Sequence, residues 1–263
     1  MEIGHGKHTD ELGNTTLPEH FKCTQNTVPS FISAVYPGIN QLPHPPDHYF
    51  AERTILTSKN DDVDDINGKM LSDFPGEMKE FLSADSVKEN NEDGQGKLLY
   101  PVEYLNSIKC SGLPLHKLQL KVGCPVMILQ NLNPGEGVCN GSQGIVTRMS
   151  NRVLEVWLLT GDHAGKTTFI PRMSIIPSLT QVLFEFCRRQ FPVKVCFAMS
   201  INKSQGQTVK NVGLDLRSAV FTHRQLYVAI SQVTSVWIIK AIWDSNLDGP
   251  VTKKIVYPEV IID

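Results

Sequence analysis

The sequence predicts an α/β protein, a mostly parallel sheet with helices, into which a small β-barrel is inserted. Three observations predict it. The apolar run RTILTS, starting at Arg53, leads directly into a helical pattern. From Lys117 onward, short strands follow one another with no helix between them, and after Pro192 apolar strands alternate with a helical segment again. The α/β pieces therefore fall at residues 50–112 and 190–245, the barrel at 115–178, and residues 1–49 and 246–263 are left as tails.

Along the chain, residues 1–49 hold six of the sixteen prolines, including Pro43, Pro45 and Pro46, and read as a linker or a torn domain edge with one short helix around Pro29–Tyr36. RTILTS, rich in β-branched and apolar residues, is a short buried strand, and Asn60 is placed as the N-cap of the helix after it. Asp61, Asp62, Asp64 and Asp65 then fall in the first turn, where the helix dipole favours negative charge, and Val63, Ile66, Met70 and Leu71 form one apolar face. The aspartates also invite a calcium reading. An EF-hand loop with Gly68 at its sixth position would need an aspartate at the residue that is Val63, so helix-start acids are preferred and no metal site is predicted. Residues 84–98 are polar and read as a surface loop. KLQLKV alternates with period two, and CPVMIL, GIVTRM, RVLEVWLL and TTFIP follow, with turn signals at Asn140-Gly141, Ser150-Asn151 and Gly161-Asp162. VKVCFAMS and TVKNVGLDL are strands, Thr222 caps a helix bearing Leu226, Ala229, Ile230 and Val233 on one face, and WIIKAIW is the last strand.

Composition narrows the function classes. With 263 residues, 41% hydrophobic and 20% charged, the chain can bury a real core, and no run approaches the ~18 apolar residues of a membrane span. The first twenty residues carry neither a signal-peptide core nor an arginine-rich transit pattern. Six cysteines without a C-x-x-C pair fit neither a disulfide framework nor a zinc ribbon and read as reduced thiols. The net charge of −2 conceals an asymmetry: residues 1–100 hold 8 Lys+Arg against 17 Asp+Glu, and residues 101–263 hold 17 against 10. A basic portion of that size suits a polyanion, although it is also common on plain solvated surfaces.

One motif is a decoy. GDHAGKTT, residues 161–168, looks like a phosphate-binding loop, but only three residues separate Gly161 from Gly165, and Thr160 stands where the first glycine is required. The strand-like and then helix-breaking TTFIP that follows cannot open the helix such a loop needs, so a hairpin turn is predicted.

Two blocks carry a more specific signal: FAMSINKSQGQT (Phe197–Thr208) and QLYVAISQVTS (Gln225–Ser235). The first places Ser200, Asn202, Lys203, Ser204, Gln205, Gly206 and Gln207 directly after a buried strand, where open α/β sheets bind ligands. Hydroxyls, amides and one ammonium suit phosphate contacts that hold a polynucleotide without reading its sequence, and equally a polar surface loop. Both blocks resemble motifs V and VI of the PIF-type superfamily-one DNA helicases, and especially those encoded by Helitron transposons. TILTSKNDDVDDIN is similar to the family's motif IV region, LKVGCPVMILQNLNPGEGVCNG to its inserted barrel and FIPRMS to a later strand of it, so the resemblance extends from Arg53 to Trp243.

The resemblance implies a second RecA-like domain carrying an inserted barrel, the C-terminal motor half of an ATP-dependent 5′–3′ DNA helicase. Single-stranded DNA is the implied partner, together with a first RecA-like domain whose Walker A and B elements do not occur in these residues; residues 1–49 would be the tail of that domain. ATP and Mg2+ would sit mainly on that first domain, with none held tightly by this chain. By resemblance the chain is a truncated gene product, an isolated domain or a degenerate transposon copy, and its compartment is the nucleus, with the mitochondrion as the alternative. Ser200, Asn202, Lys203 and Ser204 would lie on the DNA backbone, with Lys203 the phosphate partner, joined by Ser58, Lys59 and Asn60 from motif IV; Gln205, Gly206 and Gln207 would face the nucleotide.

Two departures stand out. Where the family has an arginine in QLYVAxSRVTS this chain has Gln232, and where a threonine is expected it has Ser200. An arginine finger is worth on the order of 10³–10⁵ in rate because it neutralises charge developing in phosphoryl transfer, so slow hydrolysis is expected even beside an intact first domain, and the isolated chain, with Gln232 and without Walker A and B, is expected not to hydrolyse ATP. Two alternatives remain open: a non-catalytic nucleic-acid-binding module or remnant, and a barrel that binds protein with the α/β part as its scaffold. Phe197, Tyr227 and Trp157 are the aromatic candidates for stacking on bases, with core packing the alternative fate of each.

Overall fold

The computed structural model describes residues 14–41, 46, 48–87, 100–178, 182, 184–205, 209–218, 220, 225–233, 235–246 and 251–253. In chain order the first elements are β1 (Asn14–Thr16), α1 (Val28–Val35), α2 (His48–Ala51), β2 (Arg53–Thr57) and α3 (Asn60–Asp73). A β-rich stretch follows: β3 (Lys79–Leu82), β4 (Ala84–Val87), α4 (Val102–Ser107), β5 (Lys117–Leu120), β6 (Pro125–Ile128), β7 (Gln143–Met149), β8 (Val153–Leu158), β9 (Thr167–Pro171), β10 (Met173–Ile175), β11 (Phe186–Gln190) and β12 (Val193–Val195). The chain closes with β13 (Ala198–Ser200), α5 (Ile201–Ser204), β14 (Asn211–Leu216), α6 (Gln225–Ser231), β15 (Ile239–Trp243) and β16 (Val251–Lys253). Two compact units result, one of residues 1–74 and 197–263, the other of 75–196.

The first unit is built on a parallel sheet in the order β13-β2-β14-β15. Its strands are apolar along their length, with Ile55, Leu56, Val212, Leu214, Ile239 and Ala241 essentially fully buried, as expected of parallel strands. Helix α3 packs against β13 and β2 through the predicted face of Val63, Ile66, Met70 and Leu71. The α/β class is therefore that predicted. The N-cap differs: Lys59, not Asn60, is the cap and makes no side-chain capping bond, so Asn60 opens the helix and only Asp61 and Asp62 occupy its first turn.

Residues 14–41 do not behave as a linker. Thr27 caps α1 by accepting a hydrogen bond from Ser30 N, and Pro29 sits in the first turn, where no backbone N–H is required. Phe31, Ile32 and Val35 bury this helix against β14 and β15 so closely that a Cβ at Gly213 would lie 2.7 Å from Phe31 Cζ and Val35 Cγ2. Tyr36 donates its hydroxyl proton between the carbonyls of Phe197 (2.7 Å) and Arg53 (3.1 Å). The supposed tails also meet, since β1 pairs antiparallel with β16.

Both outer strands of the parallel sheet are met by an asparagine. Asn67, within α3, accepts from Ala198 N at 2.8 Å and donates to Ala198 O at 3.0 Å on β13. Asn26 accepts from Trp243 N at 3.2 Å and donates to Trp243 O at 3.0 Å on β15. Each amide supplies one donor and one acceptor, the same pair of bonds a neighbouring strand would offer; on β15 it adds to the parallel bridge of Lys22 with Ala241.

The chain leaves this unit after Phe74 and returns at Phe197, and those two rings lie 5.7 Å apart. Neighbouring exit and entry points let an insertion sit between α3 and β13 without disturbing the sheet. VKVCFAMS, predicted as one strand, is therefore two: β12 pairs with β6 in the second unit and β13 with β2 in the first.

The second unit is antiparallel throughout: a five-stranded sheet in the order β12-β6-β7-β8-β9, a three-stranded sheet β10-β11-β4 and the pair β3-β5. Among the described residues no pairing joins β9 to β12, so the predicted β-rich insert is present as sheets, without the closing ladder of a barrel. Residues 79–87 and 100–112, predicted to belong with the α/β part, join this unit, where β3 pairs with β5 and β4 with β11. Residues 84–87 of the predicted surface loop are strand, and residues 88–98 lie outside the described residues. GDHAGKTT forms the predicted hairpin: Leu158 N donates to Lys166 O and Gly165 N to Leu158 O, with Gly161 and Gly165 at positive φ. Arg188 on β11 is fully buried. It forms a bidentate pair with the buried Asp85 and donates to the carbonyls of Leu105, Asn106, Ile108 and Pro114, fastening the α4 segment to the sheet. No described helix is long and apolar enough to cross a membrane.

Candidate nucleic-acid interface

Strands β2 and β13 are parallel neighbours with Ser200 opposite Thr57, and Asp215 of β14 faces Thr57 from the other side. The chain therefore leaves all three strands at the same edge of the sheet. At that edge it presents Ser58, Lys59 and Asn60 after β2, Asn202 to Gln205 after β13, and Arg217 and Ser218 after β14. This carboxyl edge is where open α/β sheets place ligands.

Local bonds set the shape of the edge. Thr57 Oγ1 donates to Lys59 O at 2.7 Å and tightens the turn into α3, while Ser58 Oγ donates to Ser218 O at 3.0 Å and ties the β2 loop to the β14 loop. Ser204, fully buried, donates to Ile201 O at 2.7 Å within α5. Ser58 and Ser204 are thus committed inside the fold, and Ser200 is 9% exposed at the start of α5. Lys59, Asn60, Asn202 and Gln205 are exposed and Lys203 is half-buried. The structure thus brings the predicted motif IV and motif V residues together. Gly206 and Gln207 lie outside the described residues.

Helix α6 packs against α5, which sets the second block beside the first. Gln232 follows the last turn of α6. Its Nε2 donates to Val228 O and to Ser231 Oγ, both at 3.2 Å, and its own carbonyl accepts from Val209 N at 3.0 Å. Of the aromatic candidates, Phe197 is fully buried, Trp157 is half-buried and Tyr227, on α6, is 38% exposed. The cap assigned to Thr222 lies outside the described residues.

Sequence reading missed one charged pair. Asp215, buried at the end of β14, holds Arg217 through bonds of 2.7 and 2.9 Å, with Asp65 Oδ2 a further 3.9 Å from the guanidinium. The hydrogen bond to Asp215 pushes Arg217 above its ordinary value, so it is a fixed cation at the sheet edge. The signal was available: an acid and a base two residues apart at the end of the otherwise apolar run GLDL. Among the described residues no three metal-ligating side chains stand together.

Residues 103–149 match the family described as the DNA helicase Pif1 2B domain. The chain is 33% identical over 188 residues to the ATP-dependent DNA helicase PIF1 of Homo sapiens, covering 70% of this chain and 26% of that protein. Among solved structures it is similar to Bacteroides Pif1 bound to ssDNA, with a TM-score of 0.55 and 25% identity over 78% of this chain and 42% of that one. It also shares the fold of Bacteroides Pif1 in complex with ADP-AlF3 and ssDNA, with a TM-score of 0.57 at 23% identity over 88% of this chain and 48% of that one. The resemblance to the C-terminal portion of PIF-type helicases is borne out, and the chain spans about a quarter of the human relative's length.

Proposed function

We propose that this chain is the second motor domain of a PIF-type 5′–3′ DNA helicase, which grips single-stranded DNA by its backbone and forms one wall of an ATP cleft. The observation that carries this reading is the parallel adjacency of β2 and β13, which sets the 58–60 and 200–205 segments side by side at one sheet edge with α6 against α5. Lys59 and Lys203 supply charge to phosphates, and Asn60 and Asn202 supply amide hydrogen bonds. Such contacts hold the strand without reading its sequence. Ser58, Ser200 and Ser204, buried, shape the loops that present them. A DNA-handling role places the chain in the nucleus, with the mitochondrion as the alternative.

Gln205, Gly206 and Gln207 are assigned to the nucleotide side. These residues do not make a nucleotide site unaided: the 263-residue sequence contains no G-x-x-x-x-G-K-[ST], and a hydrolysis step needs phosphate and Mg2+ ligands from a partner domain. Gln232, with its amide turned back onto Val228 O, supplies no positive charge. That favours a second reading in which the chain binds DNA without turnover.

Binding of a labelled oligo(dT) to the 263-residue chain across a salt series tests the grip. Each phosphate neutralised contributes about −0.7 to the slope of log K against log salt, so Lys203→Ala is expected to make the slope shallower by about that amount. A flat slope for the parent chain would refute it. Phosphate release by the isolated chain is expected at background level with or without DNA. Recovery of hydrolysis by Gln232→Arg, in a chain joined to an intact ATP-binding domain, separates a decayed motor from a pure binding module.

A further inference from the structure

Helix α3 carries an asparagine on its apolar face. Val63, Ile66, Met70 and Leu71 are buried there, and so is Asn67, which is 6% exposed. Asparagine is a poor residue for a helix interior, and a carboxamide taken out of water is stabilised only if it finds partners. Both of its partners are on one residue: Asn67 accepts from Ala198 N at 2.8 Å and donates to Ala198 O at 3.0 Å. Strand β13 is three residues long, pairs with β2 on one side and, among the described residues, has no strand on the other. The carboxamide stands in for that strand at the point where the chain enters the sheet.

These bonds fall between the two segments assigned to the DNA backbone. Asn67 follows Asn60 by about 10 Å along α3, and Ala198 precedes Ser200 on β13. Downstream, Ile201 and Ser204 are fully buried and Ser204 Oγ donates to Ile201 O at 2.7 Å, so α5 follows β13 as one piece. Upstream, Tyr36 donates its hydroxyl proton to Phe197 O at 2.7 Å and Ile55 N donates to the same carbonyl at 3.2 Å, which fixes where β13 begins. Pairing with β2 sets the register of β13 within the sheet. The Asn67 bonds set it against the helix that opens at Lys59 and Asn60.

We propose that Asn67 is a positioning residue for the DNA grip: by bonding both backbone groups of Ala198 it holds Asn202 and Lys203 in step with Lys59 and Asn60, so that the two loops meet one DNA backbone together. The inference rests on the sheet-edge reading above, and it gives the spacing of the contact residues to a buried side chain that touches no DNA. Without the carboxamide, a three-residue strand is held on one side only and frays. The loop after it must then be ordered afresh on binding, and the Lys203 ammonium is no longer held where the phosphate arrives.

The test is anisotropy of labelled oligo(dT) on the full chain from about 50 to 200 mM salt, at a temperature where circular dichroism finds every variant folded. Lys203→Ala is expected to make the slope of log K against log salt shallower by about 0.7. Asn67→Ala is expected to match that loss, and Asn67→Ala/Lys203→Ala to lose no more than either alone, because both changes remove the same contact. Asn26→Ala breaks the equivalent pair of bonds on β15 and is expected to keep the parent slope, which controls for general loosening. If Asn67→Ala does not fold, Asn67→Ser, which leaves a hydroxyl in the same space, carries the same expectation. The parent slope in the Asn67 variant beside a reduced slope in Lys203→Ala makes Asn67 purely structural and overturns the proposal while the grip stands. An equal loss in Asn26→Ala, or additive losses in the double variant, overturns it too. An unchanged slope in Lys203→Ala refutes the sheet-edge grip, and the proposal falls with its premise.

Discussion

Asn67→Ala isolates the edge pairing that holds β13, and with it the loop carrying Asn202 and Lys203. The side chain makes two hydrogen bonds, 2.8 Å from Ala198 N and 3.0 Å to Ala198 O, in a place where Asn67 is 6% exposed and Ala198 is fully buried. Truncation leaves a backbone donor and a backbone acceptor buried without partners, at about 1–3 kcal/mol each, so a loss of about 2–6 kcal/mol is expected. Asn26→Ala breaks the matching pair of bonds at Trp243, but both residues there are half-buried and water can replace the amide, so the loss should stay near 1 kcal/mol. Urea unfolding gives the two losses as midpoint shifts at constant m, and amide exchange locates the first in residues 197–205. Equal losses in the two variants, or less than about 0.5 kcal/mol for Asn67→Ala, would refute the edge-pairing account.

Gly213→Ala places a methyl 2.7 Å from both Phe31 Cζ and Val35 Cγ2, and should cost about 1–3 kcal/mol by thermal melting, because α1 cannot stay in place on the sheet. Arg188→Met leaves the fully buried Asp85 without its counter-charge and should cost about 3–5 kcal/mol, whereas replacing both partners with apolar residues should cost much less. The hydrogen bond from Lys210, its largest cause, holds the Glu52 carboxyl below the usual value of 4.5, so that pair's contribution is present above that value and is lost as pH falls through the depressed one. A side-chain NMR titration of Lys210→Ala should show Glu52 back in the ordinary carboxylate range.

What the sequence made legible was local. The period of two in KLQLKV and the apolar face of α3 both report burial on one side of an element, and the structure has them as predicted. What it hid was partnership across the chain. Nothing in KEFL or ADSV states that these strands pair with residues 117–120 and 186–189, so residues 79–112 were grouped with their sequence neighbours. FCRRQ was not read as a strand because two arginines and a glutamine look solvated, yet Arg188 and Gln190 point inward, where Asp85 and backbone carbonyls satisfy them. Asn67 likewise reads as an ordinary polar residue within a helix. Its role appears only when the edge of β13 is brought against it.

The same distinction governs the candidate site. Motif-like blocks announced which residues gather at the sheet edge, but burial sorts them: Ser58 and Ser204 are used up in fixing loops, while Lys59, Asn60, Asn202 and Lys203 keep surface. At Gln232 the sorting works the other way. The backbone of the turn is engaged by Val209 N, and the carboxamide satisfies Val228 O, one of the carbonyls left over at the end of α6. Glutamine is therefore a competent helix terminator here, and it carries no charge. On the proposed reading, grip and turnover rest on separable physics. Grip needs two loops set by parallel pairing, and turnover needs a cation beside the transferred phosphate. On that proposal, a chain that retains the first without the second would hold DNA, and would gain hydrolysis only if a partner domain brought the phosphate site and position 232 regained its charge.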